Sequence, residues 1–472
     1  MTLSNTKSNL LTTLNSMKQC QLTTGPADAN LRKDRLQRSI LLIKENHQAL
    51  SEAMNADFGH RSIYQSSVAD LATTIKMLQY SIDNLSNWMK DERIEEPAPG
   101  VQAWIQQQPL GVIGIISPWN FPINLAFGPL SGVFAAGNTA MLKPSELTPK
   151  TSALLAKLVS HYFAPEELTV ILGDAEVGQA FSSLPFDHLV FTGSTAVGKH
   201  VMRAAAENLV PVTLELGGKS PVMVDEDADI VQAAERTLTI KTFNVGQICL
   251  APDYMLMPQA KVDTFVEAAK SVVQNGFPCM QNNADYTAII NERHYQRLIG
   301  LLEDATNKGA TVISLAPQGE VPYDKTNRKI APHLVLNVTD DMAIMQEEIF
   351  GPLLPIKTYS QPEEAINYIN ANPRPLAAYY FGNNSQHQHA FAHSTTSGGL
   401  VINDVMTHVS IESLPFGGVG PAGMGAYHGV HGFRRFTHAK AVVLQSEDGA
   451  SNLRLRAPYH AMQPAIEAFL NS

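Results

Sequence analysis

The chain has 472 residues, of which 44% are hydrophobic and 17% charged. At about 100–200 residues per domain this length fits two large units best, and the composition is that of a globular protein with an ample core, not a disordered one. Lysine plus arginine number 34 against 44 aspartates plus glutamates, so the net charge is −10, and no basic block offsets it; this counts against DNA or RNA as a partner.

The elements read in chain order as follows. The N-terminal stretch MTLSNTKSNLLTTLNSMKQCQL is polar and lacks the apolar run of a secretory leader. Residues 28–58 place Leu31, Leu36, Ile40, Leu41, Ile43 and Leu50 at helical spacing, and a second helix is predicted over 65–91. Pro97, Pro99 and Gly100 break the pattern, and VQAWIQQQPLG (101–111) reads as an extended strand. From residue 111 the texture becomes strand–helix alternation. Strands are predicted at 111–117, 138–144, 168–173, 188–193 and 211–218, with helices between, including 122–136 and 149–163. The most apolar long stretch, 123–142, carries Pro129, Asn138 and three glycines and reads as a buried helix leading into a strand, not a membrane span. The second half repeats the texture: a strand at 220–225, helices near 228–243, 260–274 and 292–307, strands at 334–338 and 352–359, and a last strand at 439–446. Such alternation predicts parallel sheets covered on both faces, with ligands bound beyond the C-terminal strand ends.

Three cysteines, Cys20, Cys249 and Cys279, form no disulfide framework and fit a reducing, cytoplasmic setting. Taken alone, Cys249 fits a small packed hydrophobe better than a nucleophile. Four post-strand turns carry chemistry. In SPWNFP (117–122) two prolines fix the backbone around Asn120, whose amide suits an oxyanion but equally satisfies a turn. In LKPSE (142–146), Lys143 and Glu146 sit where ribose and phosphate contacts are expected, or form a plain loop ion pair. FTGSTAVGK (191–199) offers a helix start as an anion site, but Gly193 and Gly198 are five apart, so this is neither a dinucleotide fingerprint nor a P-loop. In LELGGKSP, Glu215 lies inside an apolar strand. There a carboxylate either becomes a stronger base or is a buried, hydrogen-bonded structural group. A cysteine nucleophile, a glutamate base and an asparagine oxyanion donor would complete a covalent acyl-transfer set.

PWNFP, LKPSE, FTGSTAVGK, LELGGK, FNVGQICLAPDY, EEIFGP (347–352) and LPFGGVGPAGMGAYHGVHGFRRFTH (414–438) occur in this order. In them the chain resembles the NAD(P)-dependent aldehyde dehydrogenase superfamily, and its class 3-type branch in CLAPDY and GAYHG…GF. ADFGHRS (56–62) and RPLAAYYFG (374–382) further resemble bacterial coniferyl aldehyde dehydrogenases. The resemblance implies an α/β fold of two Rossmann-like parallel-sheet domains, cofactor-binding (1–217 with 415–436) and catalytic (218–414). Oligomerisation strands at 100–110 and 437–447 would join two copies as a homodimer. It implies Cys249 as nucleophile, Asn120 with the Cys249 backbone N–H as oxyanion donors, and Glu215 as the base for thioester hydrolysis. It implies NAD contacts at Trp119, Lys143, Ser145, Glu146, Gly193, Ser194, Gly198, Leu216, Glu348 and Phe350. Glu146 should repel a 2′-phosphate, which favours NAD, while class 3-type members also use NADP. The expected substrate is a small-molecule aldehyde of coniferyl type, with a medium-chain aliphatic aldehyde as the alternative; nucleic-acid and membrane partners are not expected. Glu215 counts against a CoA-acylating relative, and the joint presence of Asn120, Glu215, Cys249 and Glu348 counts against a silent scaffold. His428 and His431 have metal-like spacing but no cysteine or carboxylate cluster, so they read as structural and no metal is expected.

Overall fold

The computed structural model describes residues 3–95, 100–447 and 451–472. Pro97 and Pro99 lie outside them. The amino-terminal region is helical. A helix at Leu3–Thr24, not among the expected elements, packs on Ala175–Ser182. The expected 28–58 helix is two helices, Ala29–Glu45 and His47–Phe58. Asp28 caps the first by accepting from the Leu31 N–H at 2.8 Å. At the break, the Asn46 side chain donates to the Leu42 carbonyl, a local bond that competes with helix continuation. The expected 65–91 helix also differs. A short helical turn at Ile63–Gln65 passes into a π-helical stretch, Ser66–Ala72, before the regular helix Thr73–Trp88. The wider turn re-aims the side chains that follow, and apolar periodicity does not reveal it.

Two large sheets follow. The first runs, edge to edge, Gly423–Met424, Val212–Leu216, His188–Gly193, Val112–Ile116, Thr139–Lys143 and Leu168–Val170, parallel except for the first pair. The second runs Thr311–Ser314, His333–Leu336, Leu353–Tyr359, Pro252–Pro258, Ser220–Val224, Ala377–Phe381 and Gly399–Ile402, parallel except at the Thr311 edge. Four strands of this second sheet, Pro252–Pro258, Ala377–Phe381, Gly399–Ile402 and Thr311–Ser314, are absent from the predicted strands. The first is central in its sheet, yet it is bounded by prolines and buried on both faces, so it has no alternation to read. Val212–Leu216 and Ser220–Val224 are likewise buried throughout, as strands covered by helices on both faces must be.

Glu92–Ile94, Gln102–Pro109 and Thr437–Leu444 form a separate antiparallel sheet. Its outer strand ends in the exposed Val443 and Leu444. The chain passes from the first sheet to the second between Leu216 and Ser220, through Gly217 and Gly218. The chemistry-bearing turns therefore gather at the C-terminal edges of both sheets.

Candidate active site

Cys249 lies in a turn between Ile230–Thr242 and Pro252–Pro258. Three consecutive residues of that turn have left-handed backbones: Asn244 (φ 46°), Val245 (φ 54°) and Gly246 (φ 68°). For the first two this is strain that the surroundings must hold in place. The Asn244 N–H donates to Gln65 Oε1 at 2.9 Å, and Gln247 Nε2 donates to the carbonyls of Asn244 and Ala288 at 3.1 Å. Gly246 has no room for a side chain, since a Cβ there would lie 2.5 Å from the Gly351 carbonyl oxygen. The cysteine turn is thus pressed against the EEIFGP turn.

Cys249 is half-buried, and the backbone amides of Cys249 and Leu250 partly oppose the rise of its pKa. Tyr379 fixes the next residue by donating to the Leu250 carbonyl at 2.6 Å. Burial pushes the thiol up to about 12, helped by the charges of Glu348 and Glu215. Both carboxylates therefore stand near the sulfur. Glu215 is 3% exposed and neither carboxyl oxygen has a partner among the described residues. Burial raises its pKa well above the usual carboxylate range, with Arg435 opposing. Asn120, 3% exposed, donates from Nδ2 to the Gln247 carbonyl at 3.2 Å, which brings its amide to the cysteine turn. Asn120, Glu215 and Cys249 are contributed by three separated segments and converge here.

Glu348 sits over the Gly217–Gly218 turn. Its carboxylate occupies the space a Gly217 Cβ would need and accepts from the Gly218 N–H. Burial pushes it up to about 8, reinforced by Asp253. Its turn is tied down by residues the sequence did not single out. Lys219 pairs with Asp253 and donates to the Ile344 and Glu347 carbonyls at 2.8 Å, and Asp253 accepts from the Ile349 N–H at 2.8 Å. Arg297 donates to the Glu348 carbonyl at 3.1 Å and also to that of Ile349. Lys219 was visible in LELGGKSP and Asp253 in CLAPDY, but nothing in their spacing links them. Phe350 has φ 50° and meets the Trp119 ring edge-on at 5.4 Å.

The remaining expected contacts line the edge of the first sheet. Lys143 is buried and its ammonium meets the exposed Glu146 at 2.9 Å. Ser145 is buried and its hydroxyl accepts from the Leu147 N–H at 3.2 Å. Gly193 ends a strand, and Ser194 caps Thr195–Ala206 by accepting from the Val197 N–H at 3.4 Å. The N–H groups of Thr195 and Ala196 have no acceptor within the helix, the arrangement that binds phosphate oxygens. Gly198 lets this helix lie close on its strand, since a Cβ would come 2.6 Å from Leu216. Leu172 and Val197, each 48% exposed, offer apolar surface at the same sheet edge. A dinucleotide fits this donor set: a carboxylate for ribose hydroxyls, a helix start for pyrophosphate and apolar surface for a base.

His428 is buried, stacked on Phe416 at 4.9 Å, and has φ 104°. Cys20 is half-buried and Cys279 exposed. Among the described residues no helix is long and apolar enough to cross a membrane, and no group of three or more histidines, cysteines or carboxylates is placed to hold a metal.

The family model of the aldehyde dehydrogenase family matches residues 6–442. The chain belongs to the aldehyde dehydrogenase family. It is an NAD(P)-dependent aldehyde dehydrogenase. It is 56% identical to coniferyl aldehyde dehydrogenase from Pseudomonas sp., over 94% of this chain and 93% of that one. Among solved structures it resembles the substrate-bound state of Staphylococcus aureus AldH, with TM-score 0.91 and 38% identity over 97% and 99% of the two chains. It also resembles the indole-3-acetaldehyde dehydrogenase AldA of P. syringae in complex with NAD+, with TM-score 0.84 and 27% identity over 93% and 89%.

Proposed function

We propose that this aldehyde dehydrogenase oxidises an aromatic aldehyde of the coniferyl type to its acid through a covalent Cys249 intermediate. The observation that carries the mechanism is the convergence of Cys249, Asn120 and Glu215 from three segments, with both Glu215 oxygens unpartnered. The Cys249 thiol loses its proton to solvent as its sulfur adds to the aldehyde carbon. The oxygen that gains charge is held by the Asn120 amide and the Cys249 N–H. Bound NAD supplies the hydride acceptor. Loss of hydride from the adduct leaves a thioester on Cys249. Glu215 takes a proton from water, the resulting oxygen attacks the thioester carbon, and the acid departs as the thiol is restored. The balance is aldehyde, NAD+ and water to acid, NADH and a proton.

Lys143, Ser145, Glu146, Gly193, Ser194, Gly198 and Leu216 hold the adenosine and pyrophosphate end in this reading, and Trp119, Glu348 and Phe350 the nicotinamide end. The exposed Glu146 carboxylate favours NAD over NADP by repelling a 2′-phosphate. Residues 1–217 with 415–436 form the cofactor domain and 218–414 the catalytic domain. The edge strand Thr437–Leu444, with the 100–110 segment behind it, joins two copies as a cytoplasmic homodimer. The substrate class is supported by the 56% identity with the Pseudomonas coniferyl aldehyde dehydrogenase.

The test is NADH formation with coniferyl aldehyde, cinnamaldehyde, hexanal and octanal, with and without CoA, on wild type and Glu215→Gln. Aromatic aldehydes should give the higher kcat/KM, CoA should be unnecessary, and Glu215→Gln should release one NADH per site and then stall. Steady turnover near wild type in Glu215→Gln would show another base, and faster turnover of the alkyl aldehydes would remove the coniferyl assignment.

A further inference from the structure

The segment ADFGHRS is easily taken for framework. The structure puts its arginine directly beneath the asparagine turn. The side chains of Arg61 and Asp70 are both 0% exposed and pair at 2.7 Å. A buried ion pair is a poor way to add stability, because the desolvation of both ions offsets their attraction. What distinguishes this one is where its other hydrogen bonds go. Arg61 donates from a second nitrogen to the Asn120 carbonyl at 2.5 Å. The second Asp70 oxygen accepts from the Ile123 and Asn124 N–H groups, each at 3.1 Å. Those two amides open the helix Asn124–Ala135, whose preceding residue, Ile123, has no side chain able to cap. One pair therefore holds both ends of the 120–124 turn.

The pair is itself held rigidly. The guanidinium lies over the Phe58 ring at 4.7 Å and the Phe121 ring at 5.1 Å. Asp70 is presented by the π-helical stretch, whose wide turn sets its direction. Nearby, the Asn124 amide donates to Thr74 at 3.1 Å. With its carbonyl fixed from below, Asn120 has its side chain free to reach across to the cysteine turn at Gln247. Lysine could not replace the arginine, since a single ammonium lacks the planar fork that serves Asp70 and Asn120 together.

We propose that Arg61 and Asp70 are a positioning pair that aims the Asn120 amide, and so set the rate of the first, NADH-forming half of the reaction. This rests on the reading of Asn120 as an oxyanion donor. Neither residue touches substrate. Their effect passes through Asn120, so it must vanish when the Asn120 amide is absent.

The test uses the full chain in single-turnover NADH formation, with enzyme in excess over the fastest aldehyde of the panel above. Truncating one partner leaves a lone buried charge and can unfold the chain, so the informative variant replaces both, R61M/D70L, which keeps an apolar filling. It is compared with N120A, the triple variant and R61K, each checked by thermal melting and by NAD affinity from fluorescence. Folded R61M/D70L should form NADH about ten to a hundred times more slowly, below the loss expected on removing an oxyanion donor outright, with NAD affinity within about twofold of wild type. R61K should fall between. In the N120A background the pair should matter by less than about twofold, whereas a merely structural role would multiply the losses. A folded R61M/D70L at the wild-type rate, or a full further loss on top of N120A, overturns the proposal. An N120A variant with an unchanged rate overturns the oxyanion reading and this proposal with it, which separates the two failures.

Discussion

The Cys249 thiol should be held protonated by its own site. Burial, then Glu348, then Glu215, push it up to about 12 from an ordinary 9.0. Three units are worth about 4 kcal/mol at about 1.36 kcal/mol per unit. At pH 8 an ordinary thiol of that kind is about one-tenth ionised, and Cys249 about a thousandfold less. A thiolate of higher pKa is intrinsically more nucleophilic, by about 0.4–0.5 log units per pKa unit toward a disulfide. That recovers about 1.2–1.5 of the three log units, leaving a net slowing of about thirty- to sixtyfold. The assay is the reaction of an aromatic disulfide reagent with Cys249 as a function of pH, without NAD, in a Cys20→Ser/Cys279→Ser background that removes the other two thiols. The rate should keep rising with pH beyond 9. Glu348→Gln removes the largest single charge acting on the sulfur and should shift the profile to lower pH. A wild-type midpoint at or below pH 9, or a Glu348→Gln profile that does not move, refutes the burial-and-charge reasoning.

Two further expectations concern the cofactor edge. Glu146→Gln keeps the shape of the LKPSE turn but removes its negative charge, so kcat/KM with NADP should rise several-fold while that with NAD falls; parallel changes would remove Glu146 from discrimination. Gly198→Ala puts a methyl 2.6 Å from Leu216 and pushes the Thr195–Ala206 helix off its strand. Overpacking of this kind costs about 1–3 kcal/mol, so the melting temperature should drop and KM for NAD rise, with an unchanged KM for NAD arguing against this helix start as the pyrophosphate site.

Much of the fold was legible because the chain's strands are short apolar runs separated by glycine and proline turns, as at 111–117 and 188–193. The periodic helices at 149–163 and 292–307 were legible for the same local reason. The order of the motifs was enough to name the family and to propose Cys249, Asn120 and Glu215. Local pattern failed where the cause was not local. Pro252–Pro258 is a strand because its neighbours in the second sheet pair with it on both sides, not because its own residues alternate. The break at Asn46 and the π-helical turn at 66–72 depend on one side-chain bond and on a partner far along the chain. The ties that hold the site are all tertiary: Gly246 against Gly351, Glu348 over Gly217, Asp253 with Lys219, Arg61 with Asp70 and Asn120. All but the Arg61–Asp70 pair join segments far apart in sequence, and each depends on distances of a few ångströms that residue order does not encode. The sequence by itself determined which chemical groups this protein carries and on which turns. Only the tertiary structure decided that Arg61 and Asp70 are buried beneath Asn120, and that the Cys249 thiol is held protonated by burial first and by two nearby carboxylates second.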